Sequence, residues 1–162
     1  MINKRLWSIA IVMMLLVFPV SASMVSFMMV ETGLNEEIST QYTSLWEGGL
    51  MAAFWDAGHI VTNIPIARLD KKPAKDFTGP LADDLNEAAS GGADYFVLGY
   101  LEYNLSGESA VPVGLVLKLY STDSKKLLFE QKFNAGSGKS LDEEYTIAQN
   151  AGRVILSHLK ER

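Results

Sequence analysis

The chain opens with a segment built to be recognised and removed rather than folded. Lys4 and Arg5 stand next to the start, a charge-free run follows from Leu6 to Val20, and Pro19-Val20-Ser21-Ala22-Ser23 closes it with small residues. A basic start, an apolar middle and a small-residue exit form the pattern of a secretory signal peptide. Signal peptidases need small side chains one and three positions before the cut. Val20-Ser21-Ala22 ahead of Ser23 fits, and so does Ser21-Ala22-Ser23 ahead of Met24. The pattern predicts cleavage between Ala22 and Ser23, a signal peptide over 1–22 and one folded domain over 23–162. The mature chain is then periplasmic or secreted, without a stable membrane anchor, where ATP, NADPH and nucleic acid are scarce. The competing reading is an uncleaved anchor, since no charge occurs from Leu6 to Val30 and about 20 apolar residues span a bilayer. Pro19 and the Ser21-Ala22-Ser23 cluster break that run where a spanning helix favours Leu or Val. Met24–Val30 also reads as the first strand of the domain.

Composition narrows the partners. Of the 14 basic residues, Lys4 and Arg5 leave with the leader, so 12 remain against 19 acidic ones and the mature net charge is −7. A nucleic-acid binder needs a basic stripe to displace counterions from phosphate, and the sign here is opposite. Cysteine is absent. That excludes disulfide staples, thiol catalysis and the lipobox cysteine of bacterial lipid anchors, so the domain rests on its hydrophobic core alone. No low-complexity tract, Pro-rich linker or internal repeat is present.

Hydrophobic patterning gives the element order. Ser23–Val30 is a short apolar run ended by Thr32-Gly33, as for a buried strand. Asn35 is a helix cap, with Glu36 and Glu37 in the first turn where the helix dipole favours them. Ile38, Tyr42, Leu45, Gly49 and Ala52 fall on one face, with Trp46, Leu50 and Ala53 beside them. Gly58 supplies a left-handed cap, and His59–Asn63 is a second strand, parallel to the first. Lys71–Gly79 reads as a polar, mobile loop. Thr78-Gly79-Pro80 opens a short helix through Leu81, Leu85 and Ala88, stopped by Gly91-Gly92.

Ala93–Tyr103 is a central strand, free of charge and proline between Tyr95 and Leu101 and apolar on both faces. Val113, Leu115, Leu117 and Leu119 alternate with Gly114, Val116, Lys118 and Tyr120 as a strand covered on one face. Thr122-Asp123-Ser124 turns into a strand over 126–133. Ser140-Leu-Asp-Glu143 is a capping box opening a last helix whose face carries Tyr145, Ala148, Val154 (with Gly152 beside it), Ile155 and Leu159. The order β-α-β-α-β-β-β-α predicts a single α/β (α+β) domain with a mixed sheet and helices packed on it.

Three patterns bear on chemistry. Gly136-Ser137-Gly138-Lys139-Ser140 looks like the end of a phosphate-binding P-loop between a strand and a helix. Yet the motif's first glycine would fall on Phe133, and Asp142, Glu143 and Glu144 put three carboxylates where phosphate should bind. Loop 133–140 reads as a capped turn, with small-ligand or nucleotide binding as the alternative. His59 and His158 are about a hundred positions apart, without ligand spacing around either, so no metal site is expected. Asp83, Asp84 and Glu87 cluster on one short helix. A carboxylate pair serves glycoside hydrolysis, but Asp84 and Glu87 are also simple neighbours on a solvated helix face. No G-x-S-x-G elbow occurs. No catalytic residue and no cofactor are expected.

Gly92-Ala93-Asp94-Tyr95-Phe96-Val97-Leu98-Gly99-Tyr100-Leu101-Glu102 resembles the G-A-D-Y-hydrophobic-G strand of a bacterial envelope superfamily. It includes CsgG-like and LpoB-like proteins and the N-terminal domain of TolB. Ala57-Gly58-His59-Ile60-Val61 is similar to its s-G-[FHY]-x-V strand, and Thr122-Asp123-Ser124 to its D-x-x-[TS]-G turn. The likeness spans nearly all of 24–160. It implies an α/β domain that binds other envelope proteins and catalyses nothing. LpoB-like members dock on peptidoglycan synthases, TolB's domain serves the Tol system, and CsgG-like members build secretion pores. This chain lacks the lipobox cysteine, the LpoB linker, the CsgG membrane hairpins and the TolB propeller, and no partner-binding residue carries over. The expected function is a non-enzymatic periplasmic or secreted interaction module with an envelope protein as partner, an accessory factor in envelope assembly or transport. A glycan-active enzyme using Asp83, Asp84 or Glu87 is the remaining alternative.

Overall fold

The computed structural model describes residues 22–34, 41–106 and 109–159. Residues 1–21 of the expected leader lie outside the described residues, as do Asn35 and Ile38 of the long helix. The elements are β1 (Met24–Thr32), α1 (Gln41–Asp56), β2 (Ile60–Asn63), β3 (Ala67–Leu69), α2 (Asp84–Ser90), β4 (Tyr95–Ser106), β5 (Ser109–Ser121), β6 (Leu127–Phe133) and α3 (Leu141–Leu156), with a 3₁₀ turn at Gly79–Leu81 before α2. The six strands form one mixed sheet in the order β2-β1-β4-β5-β6, with β3 also on β1. β1 runs parallel to β2, β3 and β4, and β4-β5-β6 is an antiparallel meander.

β4 lies between β1 and β5, as its two apolar faces require. Tyr95, Val97, Leu101 and Tyr103 join the core under α1 and α3. Phe96, Leu98 and Tyr100 join a second core under α2 with Leu81, Leu85 and Ala88. Each face of the strand therefore belongs to a different layer, and the domain is a sheet sandwiched between unequal covers.

α1 and α3 pack against each other through two small-residue notches. A Cβ placed on Gly49 would lie 2.6 Å from the Ala148 Cβ, and one on Gly152 would lie 2.7 Å from the Ala53 Cβ. Gly58 differs. Its φ is +86° with open space around it, so it is glycine for backbone reasons, as the cap before β2 demands.

Several expectations need correction. The sequence reading missed β3, a three-residue strand that continues the edge past Pro65. The buried side of α1 is Thr43, Trp46, Glu47, Gly49, Leu50, Ala53 and Phe54, rotated from the expected stripe, with Tyr42, Leu45 and Ala52 only half-buried. Large aromatic side chains on the neighbouring face draw the helix round. Val154 is exposed on α3, where Glu144, Ala148, Ala151, Gly152 and Ile155 face inward. Val113 is 53% exposed although Leu115, Leu117 and Leu119 are buried. The ladder slips by one residue between Glu102 and Tyr103, so Glu102 pairs with Gly114 and Tyr103 with Pro112. The bulge swings Val113 outward and accommodates the missing N–H of Pro112. Segment 71–79 is no free loop, because Asp76 and Phe77 tie it to the sheet.

Because the Gly152 notch meets packed atoms, Gly152→Leu should cost about 3 kcal/mol of overpacking. Gly58→Ala meets no atoms and should cost about 1 kcal/mol from the backbone alone. Chemical denaturation of the two variants should reproduce that order. Equal losses would mean that the helix contact yields.

Candidate functional site

The carboxyl ends of the parallel strands β1, β3 and β4 open onto a cleft of about 450 Å³ on the α2 face of the sheet. Ligand crevices of α/β sheets lie at this end of the strands. Its floor follows from strand register: Thr32 pairs with Glu102 and Glu102 with Gly114, while Tyr100 pairs with Val116 and Val116 with Lys132. Its wall is Asp70-Lys71-Lys72, the segment leaving β3. Neither α2 nor the Asp76 segment reaches this half of the face, so the floor is open above Gly114, where an added Cβ would touch nothing within 4 Å.

Three lysines line the cleft, Lys71, Lys72 and Lys132, with Asp70 and Glu102 as the acids. Among the described residues none of these lysines is in an ion pair, whereas nearby Lys118 bonds Asp76 at 2.7 Å and reaches Glu130 at 3.5 Å. The Lys72 ammonium sits 4.9 Å from the centre of the Tyr100 ring, within cation–π range.

Beside the cleft, Asp76 ties the connecting segment to the sheet. Its carboxylate accepts from Tyr100 Oη at 2.9 Å and Lys118 Nζ at 2.7 Å, and also from the Tyr120 hydroxyl. Phe77, at φ +54°, packs edge-on against Phe96 and Tyr120. Burial pushes the Asp76 carboxyl up, but the bonds from Lys118, Tyr120 and Tyr100 outweigh it and hold the group below its usual range. Burial, then the Asp76 bond and charge, push both phenols well above their ordinary value. The tyrosines therefore act here as un-ionised donors that hold a loop, not as proton-transfer groups.

The P-loop-like turn is filled by the chain itself. Glu144 is 1% exposed. Its Oε1 accepts from Gly136 N–H at 2.6 Å and Trp46 Nε1–H at 2.7 Å, and its Oε2 from Gly138 N–H at 2.7 Å. Lys139 N–H bonds the Glu143 carboxylate at 2.9 Å, and Ser140 Oγ accepts from Glu143 N–H at 3.2 Å, completing the predicted cap. The loop has the donors of an anion site, and a carboxylate from the next helix already holds them. Nucleotide binding by loop 133–140 thus loses its physical basis.

The other candidates lie apart. Asp83 is the N-cap of α2, Asp84 and Glu87 lie in its first turn, and none of the three lines the cleft. The Asp84 carboxyl is raised by burial and by the charges of Glu87 and Asp83, and one of its buried oxygens has no hydrogen-bond partner. His59 Nδ1 accepts from Ser23 N–H at 3.3 Å, and His158 stacks on Phe129 with ring centres 4.1 Å apart. Both histidines thus have structural contacts. Among the described residues no three metal-ligand side chains gather, and no helix is long and apolar enough to cross a membrane. At the expected cleavage point Ala22 is exposed and Ser23 buried, with Ser23 O accepting from Ile60 N–H at 3.0 Å. The sequence reading missed the cleft because its lysines are scattered over sixty positions, joined only by register.

No protein-family model matches this chain, and no curated protein does. Among solved structures it is similar to the PelC dodecamer from Paraburkholderia phytofirmans, 18% identical over 89% of this chain and 93% of that one, with a TM-score of 0.48. It is similar to the LpoB C-terminal domain from Escherichia coli, 16% identical over 76% of this chain and 90% of that one, with a TM-score of 0.43. It is also similar to TolB from Acinetobacter baumannii, 11% identical over 85% of this chain but 27% of TolB, with a TM-score of 0.39. Two of the three families that the Gly92–Glu102 strand resembles, LpoB and TolB, recur among these structures.

Two predictions follow from the geometry. Glu144→Gln puts an amide among three donors and should cost about 3 kcal/mol, read by denaturation, without creating affinity for phosphate. The Asp76 tether has a definite pH window. The lowered Asp76 value stabilises the fold above the ordinary carboxyl value of 3.8, and this is lost as pH falls through the lowered value. The raised phenols stabilise it below 10.0, and this is lost as pH climbs through their raised values. In an alkaline titration of phenolate absorbance, Tyr100 and Tyr120 should stay un-ionised past 10.0, and Asp76→Asn should bring them down. Ionisation of Tyr100 and Tyr120 at 10.0 would contradict the tether.

Proposed function

We propose that this chain is an exported, non-enzymatic interaction module of the bacterial cell envelope, an accessory factor in envelope assembly or transport. The observation that carries the reading is an edge strand whose outer side, among the described residues, pairs with no other strand. β2 ends the sheet, and its Ile60-Val61-Thr62-Asn63 contains neither charge nor proline. Ile60 is 48% exposed, and Trp55, across the Gly58 turn, is 66% exposed. Soluble proteins shield such edges unless another strand uses them, and an exposed tryptophan anchors interfaces. The occupant we infer is an extended segment of an envelope protein, added to β2 as a further strand. The leader pattern supports export. The switch from exposed Ala22 to buried Ser23 supports a domain that begins at the expected cut.

A photo-crosslinking residue at Thr62, placed in the chain in its own host, should trap one discrete envelope protein. Trp55→Ala with Ile60→Asp should abolish the product while the melting curve is kept. A crosslink that persists in the double variant, or none at Thr62, would contradict the edge reading. The mass of the purified protein should correspond to a chain beginning at Ser23 or Met24. A chain still beginning at Met1 in membranes would overturn processing.

A further inference from the structure

We infer that the cleft at the carboxyl ends of β1, β3 and β4 is a binding site for a small anionic saccharide. The volume of about 450 Å³ falls within the range of roughly 300–1,000 Å³ typical of small-ligand sites. Its charge pattern is unusual for this chain. The protein is acidic overall at −5, yet Lys71, Lys72 and Lys132 meet in one concavity, and among the described residues none of them is neutralised by an ion pair. An anion entering a cleft lined by three ammonium groups gains attraction from each of them.

The two acids set the size of that charge. Asp70 and Glu102 leave the lining only one positive charge in excess, which suits one carboxylate or phosphate monoester and disfavours a di- or triphosphate. Acceptor-only carboxylates beside an anion site need donors from the ligand, and sugar hydroxyls supply them. The floor fits a ring. Gly114 leaves bare backbone with open space above it, and Val116 beside it offers apolar surface for the C–H face of a pyranose. The site is separate from the β2 edge, so its failure would leave the interaction reading standing.

The test uses the full chain, isotope-labelled, expressed with its leader and purified as the host processes it. Amide shifts would be followed on adding glucuronate, glucose 6-phosphate, glucose or inorganic phosphate at millimolar concentrations. The inference expects saturable shifts centred on Thr32, Gly114 and Lys132 with glucuronate or glucose 6-phosphate, and which of the two binds tells carboxylate from phosphate. Glucose should produce none, and inorganic phosphate should bind more weakly than the sugar that binds. Gly114→Leu fills the floor from a Cβ position with nothing within 4 Å, and Lys72→Met with Lys132→Met removes two charges that, among the described residues, support no ion pair. Each should weaken binding at least about tenfold, equivalent to about 1.4 kcal/mol, at an unchanged melting temperature. Absence of saturable shifts with both anionic sugars, an equal response to glucose, phosphate binding as tight as the sugar, or full affinity in Gly114→Leu would each overturn the assignment.

Discussion

Everything in this domain depends on β4 being paired along both edges and buried on both faces. Pairing with β1 on one side and β5 on the other joins the parallel half of the sheet to the antiparallel meander. Val97 and Leu98, adjacent in sequence and both 0% exposed, point into different cores, so neither layer can form without the strand that serves both. The two covers are unequal. α1 and α3 close one face along their length through the Gly49 and Gly152 notches. α2 and the Asp76 segment close only part of the other, and the cleft is the remainder.

Buried carboxylates give the layers their fixed positions. Glu144 joins loop 136–138 to Trp46 of α1. Glu31, 2% exposed, accepts from Thr43 Oγ1 at 2.6 Å and Arg68 Nε at 2.6 Å, joining β1 to α1 and β3. Since the one proton of Thr43 points to Glu31, its oxygen accepts from Tyr103 Oη, 2.7 Å away. Asp76 does the same work on the opposite face. A carboxylate out of water is tolerated only where several donors surround it, so each of these acids fixes the donors' elements relative to one another. The groups that look most like chemistry in the sequence are thereby joints of the fold.

How much was legible follows from range. β1, β4, β6, the Gly58 cap and the Ser140 cap rest on local pattern and turn chemistry, and they stand where periodicity placed them. β3 is three residues long beside a proline, too short for a period to register. The rotation of α1 came from long-range contacts of Trp46 and Phe54, which outweigh a stripe of smaller residues on the adjacent face. The Val113 bulge is a property of two strands in register and is invisible in one. Glu144 was legible as an obstacle to phosphate, since three acids opened the helix. That it occupies the loop in phosphate's place required geometry. The cleft was illegible for the same reason: its lysines come from β6 and from the far end of β3.

Amide hydrogen exchange measured residue by residue tests the central place of β4 most directly. If the two cores are held by one shared strand, the amides of Val97 to Leu101 exchange only through global unfolding. Their protection free energies then equal the stability from denaturant melts, while Ile60 to Asn63 on the edge exchange through smaller openings. Amides of Val97 to Leu101 that exchange as fast as those of Ile60 to Asn63 would contradict the account, for the covers would then be opening independently of the strand between them.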